Sequence, residues 1–186
     1  DLIFFNWSTK SKNLDKESDK ENDIFKIVFL SRISPMKNLD FLLKVLINVS
    51  YPLELNILGP KEDLQYWETC KKLLEKLPTH IKINIGGEIF PEKVQETFSN
   101  YDLFVFPTRG ENFGHVIPEA LSAGTPILLS DQTPWQKDDL FGLQILPLNK
   151  NEWIKALEGW ANLSKDQLLK RKQAALNYAN KIKLIN

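Results

Sequence analysis

The sequence predicts an α/β protein built on a doubly wound parallel sheet. Three observations carry that prediction. Short apolar runs rich in β-branched and aromatic residues recur along the chain, and helix-spaced apolar residues separate them. The run at 25–31 reads as a strand covered on both faces, and those at 102–107 and 125–130 read as further buried strands. Strands that alternate with helices pair in parallel, because each helical crossover returns the chain to the same edge of the sheet.

The elements follow in order. "FKIVFLS" (25–31) is the first strand, and Leu39, Leu42, Leu43 and Leu46 then recur on one helix face. "LELNILG" (53–59) is the second strand, followed by a helix marked by Leu64, Trp67, Cys70, Leu74 and Leu77. "IKINIGG" (81–87) is the third strand, and Pro91 opens a short helix through Ser99. "DLFVFP" (102–107) and "TPILLS" (125–130) are two further strands, with a helix from Val116 to Ala123 between them. "GLQILPL" (142–148) reads as a short sixth. Trp153 and Trp160 share one helix face, and Ser164 with Gln167 forms a capping box ahead of a last helix expected to end near Lys181. Residues 24–186 form one domain on this reading. Residues 8–23 hold one large apolar residue, Leu14, among lysines and acids, so residues 1–23 read as a partly disordered linker or the end of an upstream domain.

Composition narrows the function. The 186 residues are 42% hydrophobic, enough for a sizeable core, and 24 basic residues balance 24 acidic ones. That balance argues against bulk nucleic-acid binding. Cys70 is the single cysteine, so neither an intrachain disulfide nor a cysteine cluster forms. No apolar run reaches membrane-spanning length, and "DLIFFNW" lacks the features of a signal peptide. Asn-x-Ser tripeptides at Asn6, Asn48 and Asn162 fit chance in so Asn- and Ser-rich a chain, so the protein is read as intracellular.

Ligands of such sheets bind beyond the carboxyl ends of the strands. Here those ends read "SRISPMKN", "LGPKED", "IGGEIFPE", "PTRGENFG" and "LSDQTPW". Arg32 and Lys37 flank a turn after the first strand and can hold a diphosphate, although taken alone both read more readily as solvated surface charges. Phe113 and Gly114 precede a helix start, where free N–H groups and a close backbone approach suit an anion. Glu119 can accept hydrogen bonds from a vicinal diol such as ribose, or simply complement the helix dipole. Glu111 can face whatever lies beyond the phosphates, or be an exposed loop acid. His115 can touch the ligand or only pack. With two histidines and no ligand cluster at metal spacing, no zinc site is expected. Trp135 stands apart on a strand-end loop. No Walker sequence, strand-following G-x-G-x-x-G or G-x-S-x-G elbow occurs, and Gly86–Gly87 alone is a weak signal.

The order Arg32…Lys37, then "GGEI" (86–89), then "DLFVFPTRGENFGHVIPEALSAGTPILLS" resembles the C-terminal half of GT-B fold glycosyltransferases of family 4, the glycosyltransferase group 1 type. Glu111 and Glu119 match that family's E-x7-E pattern, and the resemblance runs over roughly residues 25 to 180. It implies a Rossmann-like domain that binds a nucleotide-sugar donor linked to UDP, GDP or ADP, with no cofactor and no required metal. Arg32 and Lys37 would hold the diphosphate and steady the leaving group, and Glu111 would lie by the donor sugar; these are the implied catalytic residues. Glu119 would hold the ribose hydroxyls. Asn112, Phe113, Gly114 and His115 would present backbone amides to sugar or phosphate, and Gly87, Glu88 and Ile89 would lie by the base. Ser31 stands where the family often has glycine, as does Asn112, and neither change removes a named ligand.

The resemblance also implies transfer with retention, in surface polysaccharide or lipopolysaccharide synthesis, in the cytoplasm or at the inner face of the membrane. A full-length protein could associate peripherally with that membrane. The acceptor, a glycan or glycolipid, would sit on an N-terminal domain for which this chain shows no second set of elements, so the chain is expected to be inactive alone. Two alternatives remain at this stage: a non-transferase GT-B enzyme such as a nucleotide-sugar 2-epimerase, and an α/β protein-binding module that binds no nucleotide.

Overall fold

The computed structural model describes residues 24–138 and 140–185. The linker expected over residues 1–23 lies outside the described residues. The strands are β1 (Phe25–Leu30), β2 (Leu53–Leu58), β3 (Ile81–Ile85), β4 (Leu103–Phe106), β5 (Ile127–Ser130) and β6 (Leu143–Leu146). The helices are α1 (Leu39–Leu46), α2 (Leu64–Leu74), α3 (Val94–Phe98, led by a 3-10 turn at Pro91–Lys93), α4 (Val116–Ser122), α5 (Lys150–Ala161) and α6 (Lys165–Ile185).

The six strands form one parallel sheet in the order β3-β2-β1-β4-β5-β6. Side chains alternate across it. Ile27, Phe29, Leu55 and Val105 pack on one face with Leu42 of α1, Cys70 of α2, and Trp153 and Trp160 of α5. Val28, Phe104, Phe106 and Leu129 pack on the other with Phe98 of α3, Ile117 of α4 and Ala175 of α6. Both faces are covered over β4 and β5 at the centre of the sheet, which is why these read as unbroken apolar runs, whereas the edge strand β3 alternates apolar and polar residues and is largely exposed.

Polar groups carried into the core find partners. Trp153 and Trp160 are at most 1% exposed, and their indole N–H groups donate to the Pro147 carbonyl and to Gln144 Oε1. Tyr66 donates its hydroxyl to Asp40 Oδ1 at 2.6 Å and accepts from the Asp40 amide at 2.9 Å, joining α2 to α1. Burial pushes the Asp40 carboxyl up, but hydrogen bonds from Lys44 and Tyr66 outweigh it and leave the pKa below its ordinary value. At α6 the Ser164 amide donates to Gln167 Oε1 and the Gln167 amide to Ser164 Oγ, the reciprocal capping box the sequence predicts. The helix runs on to Ile185, past the end expected near Lys181, since no Gly or Pro stops it.

Candidate functional site

β1 and β4 are neighbours, yet the chain leaves them towards opposite faces, to α1 and to α4. Diverging connections leave a crevice at this switch point. A cleft of about 270 Å³ lies there, lined by Arg32, Lys37, Glu111, Gly114, His115 and Glu119, with Leu30, Ser31, Phe106, Val94 and Val116. Six of the eleven residues singled out from the sequence thus face one cavity.

Lys37 reaches it through a rigid turn. Its amide donates to the Ser34 carbonyl, and Asn38 after it takes the left-handed conformation at φ 64°. Asn38 is 2% exposed and bridges two loops: its Nδ2 donates to the Pro107 carbonyl at 2.9 Å, and its Oδ1 accepts from Arg109 Nε at 3.0 Å. The Arg109 amide in turn donates to the Met36 carbonyl at 2.8 Å. The loops after β1 and β4 are therefore stitched together, and Lys37 Nζ meets Glu111 Oε2 at 2.5 Å. Their side chains are 10% and 19% exposed. The ammonium also lies 5.6 Å from the centre of the Phe106 ring.

Gly114 makes room for this pair. It sits at φ 71°, and a Cβ there would fall 2.7 Å from Glu111 Cγ. Beyond it the Ile117 amide donates to the Gly114 carbonyl, and Pro118 has no N–H. Among the described residues, the amides of Gly114, His115 and Val116 have no hydrogen-bond partner, and all three residues line the cleft. They are open donors for an acceptor in the cavity.

Arg32 is anchored differently. Its Nη1 lies 2.6 Å from Glu62 Oε1, with the side chains 59% and 45% exposed. The loops carrying the two residues run together beyond the sheet: Ser31 N donates to Leu58 O, Ile33 N to Pro60 O, and Asp63 N to Ile33 O. Gly59, at φ 131°, permits that approach, since a Cβ there would lie 1.9 Å from the Ser31 carbonyl oxygen. Sequence reading missed Glu62, because nothing in "PKED" distinguishes it from a solvated acid.

Glu119 projects from α4 with no hydrogen-bond partner for its carboxylate among the described residues. Burial raises its pKa above the ordinary value, opposed by the field of His115. It is an acceptor awaiting donors.

The other predicted residues lie elsewhere. The Gly87 carbonyl accepts from the Gly59 amide at 2.9 Å, and Glu88 and Ile89 line a separate hollow of about 300 Å³ with Phe90, Lys93 and Glu96. Asn112 and Phe113 are exposed and do not line the cleft. Phe113 packs against Trp135 at 5.3 Å between ring centres, and the indole N–H of Trp135 donates to the Phe113 carbonyl. The strand-end tryptophan thus props the loop that carries Glu111. Among the described residues, no three His, Cys, Asp or Glu side chains converge as a metal site would require. No described helix is long and apolar enough to cross a membrane.

Residues 10–138 match the family described as glycosyl transferases group 1. The chain belongs to this family. It is 24% identical over 152 residues to an uncharacterized glycosyltransferase of Methanocaldococcus jannaschii, covering 79% of this chain and 38% of that protein. It is 27% identical over 112 residues to the D-inositol 3-phosphate glycosyltransferase of Rhodococcus erythropolis, covering 56% of this chain and 25% of that protein. It therefore spans well under half the length of either curated relative. Among solved structures, HepE of Anabaena in complex with UDP and glucose matches with a TM-score of 0.74 at 17% identity, over 85% of this chain and 44% of HepE. The catalytic domain of cholesterol-alpha-glucosyltransferase from Helicobacter pylori matches with a TM-score of 0.65 at 20% identity, over 87% of this chain and 99% of that one. The six-stranded parallel α/β fold is Rossmann-like and matches that of GT-B glycosyltransferases.

Proposed function

We propose that this chain binds the nucleoside-diphosphate sugar for a retaining, metal-independent glycosyltransferase. The observation that carries the reading is the meeting of Arg32, Lys37, Glu111 and Glu119 around one cleft at the β1/β4 switch point. The diphosphate lies between Arg32 and Lys37, with the open amides of Gly114, His115 and Val116 as further donors. These groups neutralise the departing charge in the role a divalent ion plays elsewhere. Glu119 accepts the ribose hydroxyls, and Glu111 stands beside the sugar once Lys37 turns part of its hydrogen bonding to phosphate. The hollow at Glu88 and Ile89 takes the base. The acceptor is a glycan or glycolipid, and the pathway is surface polysaccharide or lipopolysaccharide synthesis at the cytoplasmic face of the membrane.

HepE was solved with UDP, so UDP is the first nucleotide to test. Calorimetric titration with UDP, GDP and ADP should find one that binds equally in EDTA and in Mg2+. Binding that strictly requires the divalent ion overturns the metal-independent reading. Binding of none of the three overturns the donor reading.

A further inference from the structure

Both basic residues of the cleft wall already hold a carboxylate. Lys37 is paired with Glu111, which itself lines the cleft. Arg32 is paired with Glu62, which does not. We infer that Glu62 limits how tightly the cleft takes a nucleoside diphosphate, by competing with it for the Arg32 guanidinium. The inference rests on the proposed donor function and adds an affinity-setting residue outside the cavity.

Three features support competition. The first is that the contact is built in. Backbone bonds from Ile33 to Pro60 and from Asp63 to Ile33 tie the two loops, and the Glu62 amide donates to the Pro60 carbonyl at 3.1 Å. These bonds hold the backbone of Glu62 beside the loop that carries Arg32. The neighbouring Lys61 is drawn elsewhere, its ammonium 5.1 Å from the centre of the Trp67 ring. Among the described residues Glu62 has no ion-pair partner other than Arg32.

The second feature is geometry. One Nη1–Oε1 contact leaves the rest of the fork unused by Glu62, whereas phosphate oxygens can take two parallel N–H bonds. The third is exposure. With more than two fifths of each side chain in water, the pair is weak and reversible. A contact of this kind reduces the fraction of competent Arg32 by about fivefold at most. The diphosphate can displace Glu62, and Glu62 can recapture Arg32 when the diphosphate leaves.

The test is a double-mutant cycle read by calorimetry with UDP, GDP and ADP, using the 186-residue chain. Glu62→Gln should raise affinity for the bound nucleotide by about three- to fivefold at low ionic strength, and less at high ionic strength. Glu62→Asp keeps the charge but draws the carboxylate back by one methylene, and should fall between wild type and Glu62→Gln. In an Arg32→Ala background the gain from Glu62→Gln should vanish. A gain that persists there means general charge repulsion and overturns the competition. Unchanged or weaker binding by Glu62→Gln overturns it too, making Glu62 a bystander or an aid to Arg32. If Arg32→Ala binds like wild type, or no nucleotide binds, the donor reading falls and this inference with it. If Arg32→Ala weakens binding and Glu62→Gln does not strengthen it, the inference alone falls.

Discussion

Lys37 Nζ and Glu111 Oε2 lie 2.5 Å apart although the residues stand at the ends of different strands, so the cation after β1 and the acid after β4 form one unit across the switch point. Arg32, on the same strand end as Lys37, belongs to a looser and more exposed pair. Removing the two cations should therefore have different consequences.

Lys37→Ala should cost stability as well as affinity. It strands a mostly buried Glu111, at about 1–3 kcal/mol for an unsatisfied group of this kind. Arg32→Ala should cost under about 1 kcal/mol in stability, as exposed pairs do. Each should weaken nucleoside-diphosphate binding by roughly tenfold to a hundredfold, for a charge-assisted contact of about 1.5–3 kcal/mol. Urea melts and calorimetry on the two variants decide this. Equal stability losses would refute the buried-pair account.

Glu119 should link binding to pH. Burial raises its pKa, so the folded chain holds the proton more tightly than the unfolded chain does. Its favourable contribution to folding is full below the unfolded pKa and is lost as pH rises through the folded value. Glu119→Gln should thus gain slightly in stability at neutral pH, by under about 1 kcal/mol given the exposure of the site. Ribose hydroxyls donate to the ionised form, so wild-type affinity should fall as pH drops through the raised pKa, while the variant stays flat. The variant should also lose discrimination against 2′-deoxy nucleotides. Affinity profiles that run parallel over pH in the two proteins would sink the ribose assignment.

Asn38 should tolerate Gly better than Ala. Asn38→Gly keeps the left-handed backbone and loses the bridge to Pro107 and Arg109. Asn38→Ala loses the bridge and adds about 1–2 kcal/mol of backbone strain. Thermal melts should rank wild type above Gly and Gly above Ala. Ala melting at or above Gly would contradict the strain argument.

Cys70 should be a silent thiol. It is 0% exposed, and burial pushes its pKa up to about 11. At mild alkaline pH a thiol reagent should label it only as fast as the chain opens, and completely in denaturant. Rapid labelling of the native chain would show that the α1–α2 layer breathes.

Much of this was legible in the residues. Continuous apolar runs mark strands covered twice, and Ser164 with Gln167 announces a helix start. The polar residues at strand ends fall on one edge because every strand points the same way. Other features were not legible. The order β3-β2-β1-β4-β5-β6 depends on which crossovers reverse, a long-range choice that leaves no local trace. Helical periodicity shows where the apolar face of α1 lies, but not that Asn38 ahead of it takes a positive φ and reaches across to Pro107. Phe113 and Asn112 sit beside cleft residues in sequence and outside the cleft in space, because the turn at Gly114 swings the chain between them.

The bonds that tie Met36 and Asn38 to Pro107 and Arg109 bear on how quickly a ligand could be caught. With these bonds in place, the two lips of the cleft are a mould rather than a hinge. Little disorder is left in these lips for a ligand to quench. Capture at this half of the site can then proceed at the pace of collision and ion exchange, without waiting for a loop to fold.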